Sequence, residues 1–294
     1  MKKTLLVLIF LLLLSGCTKE EEPAAPPEVS HRQIFETKTE TRTVTSVEEI
    51  EMITIGDQEY PSDTKELDLE DMGLTDDDIK ELYKFTKLKK LFLDGNDITD
   101  LSPIAELKKL NTLSFRYCNI SDLSPLSELK ELESLAAGHN KISDISPLSG
   151  LIRLEYLALQ GNEISDLSPI SGLKRISFFD VNSNRISDIS PISGMKGISM
   201  LCIYGNSISD LSPLAELPEL YSVSAFNNNI TDISPLRNSE KLEYLFLTGN
   251  SITDPSPLLN LQKLKCCELD GAGISEEDRA ALISALPECE FEFE

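Results

Sequence analysis

The chain has 294 residues, 40% of them hydrophobic, which is enough for a sizeable core and too apolar for a disordered chain. With 27 Lys and Arg against 50 Asp and Glu, its net charge is -23, a poor match for nucleic acid or an anionic lipid surface, both of which attract basic patches. Two histidines, His31 and His139, exclude three-His and paired-His metal motifs, and six Cys do not make a disulfide-dense scaffold.

The chain opens on Met1-Lys2-Lys3, an apolar run from Thr4 to Leu14, and Ser15-Gly16-Cys17. A basic start, a short apolar run and small residues read as a secretory signal over 1–16. The run is shorter than the roughly 20 apolar residues of a membrane span. Leu14-Ser15-Gly16-Cys17 resembles the bacterial lipobox. That resemblance implies cleavage before Cys17, diacylglycerol on its thiol and acylation of the new amino terminus. Two or three acyl chains would hold the protein at the membrane, with everything else outside the cytoplasm. After Cys17, residues through 30 are polar and rich in Glu, Ala and Pro, the composition of an extended tether.

Residues 31–66 contain β-rich stretches such as Glu51-Met52-Ile53-Thr54-Ile55, followed by Gly56-Asp57-Gln58, and predict an N-terminal β cap. Leu67 and Leu69 open the first coil, which carries two extra residues and predicts a short α-helix over 76–83. From Leu88 the chain repeats every 22 residues, with copies beginning at Leu110, Leu132, Leu154, Ile176, Ile198, Leu220 and Leu242 and a partial copy at Leu264. This pattern resembles the leucine-rich repeat. Its Ile-Ser-Asp-Ile-Ser-Pro-Leu stretch, here Ile142 to Leu148, is similar to the bacterial internalin repeat. The implied fold is an α/β leucine-rich-repeat solenoid over 67–274. It has a curved parallel β-sheet on the concave side and short 3₁₀ or irregular turns on the convex side.

The repeat positions have separate physical roles. Leu91 and Leu93 are two apart, so both point to one side of a short strand, and stacked coils bury them in one column. The recurring Asn (Asn96, Asn140, Asn162, Asn184, Asn206, Asn228, Asn250) carries donors and acceptors for turn backbone. Cys118 takes that position once and reads as structural. Ser-Pro pairs from Ser102-Pro103 to Ser256-Pro257 suit an N-cap and a first helical residue. The Asp two residues before each Ser could bond its own turn or stack as a calcium ladder. One carboxylate per coil falls short of the six to eight oxygens that calcium needs.

At the far end, Ser275-Glu276-Glu277-Asp278 approximates a capping box. It predicts a cap over 275–294, with a helix stopped at Pro287 and a final strand in which Cys289, Phe291 and Phe293 alternate with Glu. Cys267 takes a core position, and a bridge from Cys266 or Cys267 to Cys289 stays open outside the cytoplasm.

The residues flanking the core pair of each strand should line the concave face. Tyr156, Phe178, Met200, Tyr204, Phe226, Tyr244 and Phe246 gather there in the C-terminal half, with Asp180 among them. Aromatic and Met enrichment with few charges is the composition of an interface centre, so these eight are the candidate partner-binding residues. Glu268 and Asp270 stand about 7 Å apart by strand geometry, but on a shallow sheet that would raise neither pKa, so no catalytic residue is expected. No metal and no cofactor is expected. The reading is a monomeric, lipid-anchored surface protein that binds a protein on its concave face. The internalin resemblance suggests an adhesion target. Glycan or cell-wall binding is the second reading, and a structural spacer the third.

Overall fold

The computed structural model of the protein describes residues 50–270 and 273–293. The signal sequence, Cys17, the tether and the cap before residue 50 lie outside the described residues.

Strands β1 (Met52–Ile55) and β2 (Gln58–Pro61) form an antiparallel hairpin with Ile55 opposite Gln58. Gly56 opens its two-residue loop at φ 58°, the left-handed backbone that such a turn needs at its first position. Ile53 and Ile55 are buried, and a Cβ on Gly56 would stand 2.7 Å from Leu74 Cδ2. The hairpin therefore closes the open end of the first coil, as a solenoid requires.

Eleven strands then form one parallel sheet in chain order. They are β3 (Glu66–Asp68), β4 (Lys90–Phe92), β5 (Thr112–Ser114), β6 (Ser134–Ala136), β7 (Tyr156–Ala158), β8 (Phe178–Asp180), β9 (Met200–Cys202), β10 (Ser222–Ser224), β11 (Tyr244–Phe246), β12 (Cys266–Leu269) and β13 (Glu290–Phe293). Leu67 pairs with Leu91, 24 residues on, and Leu91 with Leu113, 22 on, so the extra two residues sit in the first coil without disturbing the register. The middle residue of each short strand points inward, and the core runs through every coil. This is the leucine-rich-repeat solenoid.

The convex arc has a period of three. Ile98, Leu101, Ile104, Leu107 and Leu110 are at most 1% exposed. A 3₁₀ helix has three residues per turn and puts such a series on one face, and Ser102–Ile104 and its equivalents are 3₁₀ turns. The first coil follows the same rule, which corrects the α-helix expected over 76–83. Ile79, Leu82, Phe85 and Leu88 are buried at a spacing of three, and the segment is a turn followed by a 3₁₀ helix, Lys80–Lys84.

The Ser-Pro turns are capped differently from the expectation. Ser is the first 3₁₀ residue, and the N-cap position before it is Leu101, which gives no side-chain cap. The preceding Asp does the work: Asp100 Oδ1 accepts the Ser102 N–H at 2.8 Å and Oδ2 accepts its hydroxyl at 2.7 Å. The same pair of bonds recurs from Asp122 to Asp232. Each Asp thus bonds its own turn. The Asn column ties coil to coil. Asn228 Nδ2 donates to Ile203, Ala225 and Phe226 carbonyls, and its Oδ1 accepts the Ile208 N–H at 3.0 Å. Cys118 is buried in this column, with its thiol 3.4 Å from the Leu93 carbonyl.

Helix α1 (Glu276–Ala285) seals the far end. Ser275 Oγ accepts the Asp278 N–H at 3.1 Å, and Ile274, Leu282 and Leu286 turn onto the last coil. Cys266, Cys267 and Cys289 are free thiols. Burial pushes Cys289 up to about 12 and Cys267 well above an ordinary thiol, so neither is poised as a thiolate.

Candidate binding face

The pleat sends the residues either side of the buried middle position to the concave face. Because the sheet curves inward, their side chains converge and pack across coils. Tyr156 stacks on Phe178 at 4.4 Å between centroids, and Tyr204 on Phe226 at 4.2 Å. Both distances are close to the strand spacing.

This convergence corrects the picture of a uniformly exposed aromatic patch. Phe178, Asp180, Met200 and Phe246 are at most 5% exposed, whereas Tyr156, Tyr204, Phe226 and Tyr244 are half-buried. Phe178, Met200 and Phe246 nevertheless stand apart from the contiguous inner core and are covered by their own neighbours on the face. The accessible part of the patch is therefore the four half-buried aromatic rings.

Between the two stacks runs a floor of small and polar residues. The middle column reads Ala158, Asp180, Cys202 and Ser224, paired in that order by strand register. Asp180 Oδ1 accepts the Asn182 N–H at 3.0 Å, and Asn182 Oδ1 accepts the Tyr204 N–H at 2.8 Å. Burial raises the Asp180 carboxyl to about 7, against the Asn182 bond. Burial, and then Asp180, push Tyr156 up to about 12 and raise Cys202 well above its usual value.

The N-terminal half of the face is polar. Asp94 is 7% exposed and accepts bonds from the Ser114 hydroxyl, the Arg116 N–H and the Arg116 guanidinium, whose Nη2 lies 2.6 Å from Oδ2. Gln160 folds over Gly138, where a Cβ would meet its amide at 2.6 Å, and its Oε1 is buried with no hydrogen-bond partner. Beside them Tyr117 stacks on His139 at 4.3 Å, and both have positive φ, 54° and 56°. Burial, then Arg116, lower the His139 pKa, so its ring is neutral at neutral pH. The His139 ring lies over Gly161, φ 66°, where a Cβ would come within 2.6 Å of Nδ1. Sequence reasoning missed this rim. Its signal is a bulky residue at a turn position that holds Gly in coils 95, 161, 205 and 249. Among the described residues no cluster of three or more metal-ligating side chains forms, and Glu268 and Asp270 stand by the C-terminal cap.

Residues 108–150 and 152–194 each match the family model of leucine-rich repeats in two copies. An internalin of Listeria monocytogenes is 32% identical over 73% of this chain and 69% of its own, with a TM-score of 0.63. A leucine-rich-repeat protein of Leptospira interrogans is 25% identical over 73% of this chain and 57% of its own, at 0.69. Internalin C2 of Listeria monocytogenes is 26% identical over 71% of this chain and 84% of its own, at 0.54. No curated protein matches the chain. The chain belongs to the leucine-rich-repeat family and is internalin-like within it. Leucine-rich-repeat proteins of this kind mediate protein–protein interaction and are typically non-enzymatic.

Proposed function

We propose that this is a lipid-anchored bacterial surface protein that binds another protein on the concave face of its solenoid. The observation that supports it most is the aromatic half of that face. Tyr156, Tyr204, Phe226 and Tyr244 present partly exposed rings over Phe178, Met200 and Phe246, and rigid rings on a preorganised sheet lose little entropy on binding. Asp180 is the one charge inside this set. The similarity to internalins favours a surface location and an adhesion role. The Cys17 motif supplies the anchor, and no helix of the described residues is long and apolar enough to cross a membrane.

Two experiments test the reading. A Tyr156→Ser/Tyr204→Ser/Tyr244→Ser variant changes only half-buried rings and should keep the wild-type circular dichroism while losing at least roughly tenfold in partner capture, as a buried hot spot does. Undiminished capture rejects the concave face. For the anchor, Cys17→Ala should abolish incorporation of labelled palmitate and release the protein or leave it unprocessed. Persistent label in that variant rejects lipidation at Cys17.

A further inference from the structure

The concave face carries two nearly buried acids, and only one is neutralised from within. Asp94 has the Arg116 guanidinium, the Arg116 N–H and the Ser114 hydroxyl. Asp180, 3% exposed, holds the Asn182 N–H, and no described Lys, Arg or His forms an ion pair with it. Packing does not call for an acid at this position. The neighbouring positions of the same column hold Ala158, Cys202 and Ser224, all small and uncharged, whereas the other acids of the column, Asp68, Glu268 and Glu292, lie in the outermost coils and none of them is buried. A buried carboxylate without a counter-charge destabilises the fold, and a cost without a local structural return points to a functional position.

The surroundings say what would complete it. Tyr156, Cys202 and Asn182 are the titratable or polar groups that face Asp180 from the coil before, the coil after and its own coil. Tyr156 and Cys202 have raised pKa values and are uncharged at neutral pH. Arg116, a cation of the same face, is already bound to Asp94. The two aromatic stacks stand diagonally on either side of the Asp180–Cys202 floor. Since Tyr204 lies parallel to Phe226 of the next coil, its other face turns toward the coil of Asp180 and Asn182. Such walls lower the local dielectric and strengthen an ion pair formed between them, and a Tyr face attracts a cation within about 6 Å. The chain's charge of -23 would also draw in a basic partner.

We infer that Asp180 is the anchor point for a cationic side chain, Lys or Arg, of the protein bound on this face. Its long apolar stem would lie between the Tyr156–Phe178 and Tyr204–Phe226 stacks, with its charged head at the carboxylate. This inference rests on the concave face being a protein-binding surface, and it names the chemistry of the group that enters.

The test uses heptapeptide libraries with uncharged random flanks and a central Arg, Lys or citrulline, titrated against the purified protein by fluorescence anisotropy. Citrulline keeps the shape of Arg and removes its charge. The Arg or Lys library should bind at least tenfold tighter than the citrulline library at pH 8. Binding should weaken about tenfold from pH 8 to pH 6, as a carboxylate that titrates near 7 becomes protonated. Asp180→Asn, or Asp180→Ser should the amide variant not fold, should bring the Arg and Lys libraries down to the citrulline level without lowering the melting temperature at pH 8. Equal binding of the citrulline library, undiminished binding by a folded Asp180 variant, or no binding of any library by the wild type overturns the inference. Spermidine bound as tightly as the Arg library overturns the assignment to a protein side chain. If the Asp180 variants still capture the partner fully while the triple Tyr variant does not, the cation site falls and the concave face stands. If both variants capture it fully, both fall.

Discussion

At the scale of single residues, two populations of aspartate respond to pH in opposite senses. In Asp122, Asp188 and Asp232 the Ser backbone N–H two residues on, and then its hydroxyl, hold the carboxyl below its ordinary value. Their contribution to stability is present above the unfolded pKa near 4 and is lost as pH falls through the lower folded values. Asp180 is the reverse case. Burial raises it from 3.8 to about 7, so its contribution is present below about pH 4 and is lost as pH rises through 7. Asp180→Asn should therefore be more stable than wild type at pH 8, by up to about 4 kcal/mol. The gap should close as pH approaches 4. Urea denaturation of both proteins across this range checks it. A variant less stable at pH 8 would show that the carboxylate supports the fold.

At the scale of the coil, stability rests on two recurring devices, the Asn column and the left-handed turn. Asn228→Ala takes the acceptor from the Ile208 N–H in a site 8% exposed, while the Ile203, Ala225 and Phe226 carbonyls keep Asn206 Nδ2, Asn250 Nδ2 and the Gly205 N–H as donors. It should cost on the order of 1–3 kcal/mol. Asn228→Cys should cost less, since Cys118 fills the same place with a thiol near the Leu93 carbonyl. The turn after each strand needs positive φ, and a side chain there leans over the next coil. Gly161 has φ 66° under the His139 ring, while a Cβ on Gly172 meets nothing within 4 Å. Gly161→Ala should destabilise by roughly 1–2 kcal/mol, and Gly172→Ala should be neutral or stabilising. Paired chemical denaturation distinguishes them, and equal effects would show that the turn tolerates a side chain.

At the scale of the whole solenoid, each coil touches only its neighbours, so damage at one end stays there. Leu282 is fully buried against the last coil. Leu282→Ala should cost about 2–5 kcal/mol locally. Hydrogen exchange should speed up in β12 and β13, while amides of β4 and β5 keep their protection. Uniform loss of protection along the chain would mean that the coils unfold as one unit.

The period of 22 and the Leu-x-Leu pair made the solenoid legible, because a coil of constant length can bury its apolar face only against copies of itself. Asn at one fixed position and Asp two before each Ser were legible for the same reason: each satisfies backbone groups of a turn that every coil repeats. The 3₁₀ form of the first arc was hidden, since Ile79, Leu82 and Phe85 fit a helix of either pitch until the coil's closure selects three residues per turn. The concave face was legible as a set of positions but not as a surface. Alternation along a strand assigns Phe178, Asp180 and Met200 to that side; only the inward curvature of the sheet, which presses neighbouring coils' side chains together, decides that they are covered while Tyr156 and Tyr204 remain in reach. The same crowding strips water from Asp180, and a carboxylate that the sequence presents as one more surface acid becomes a buried one because of residues 22 positions away on either side.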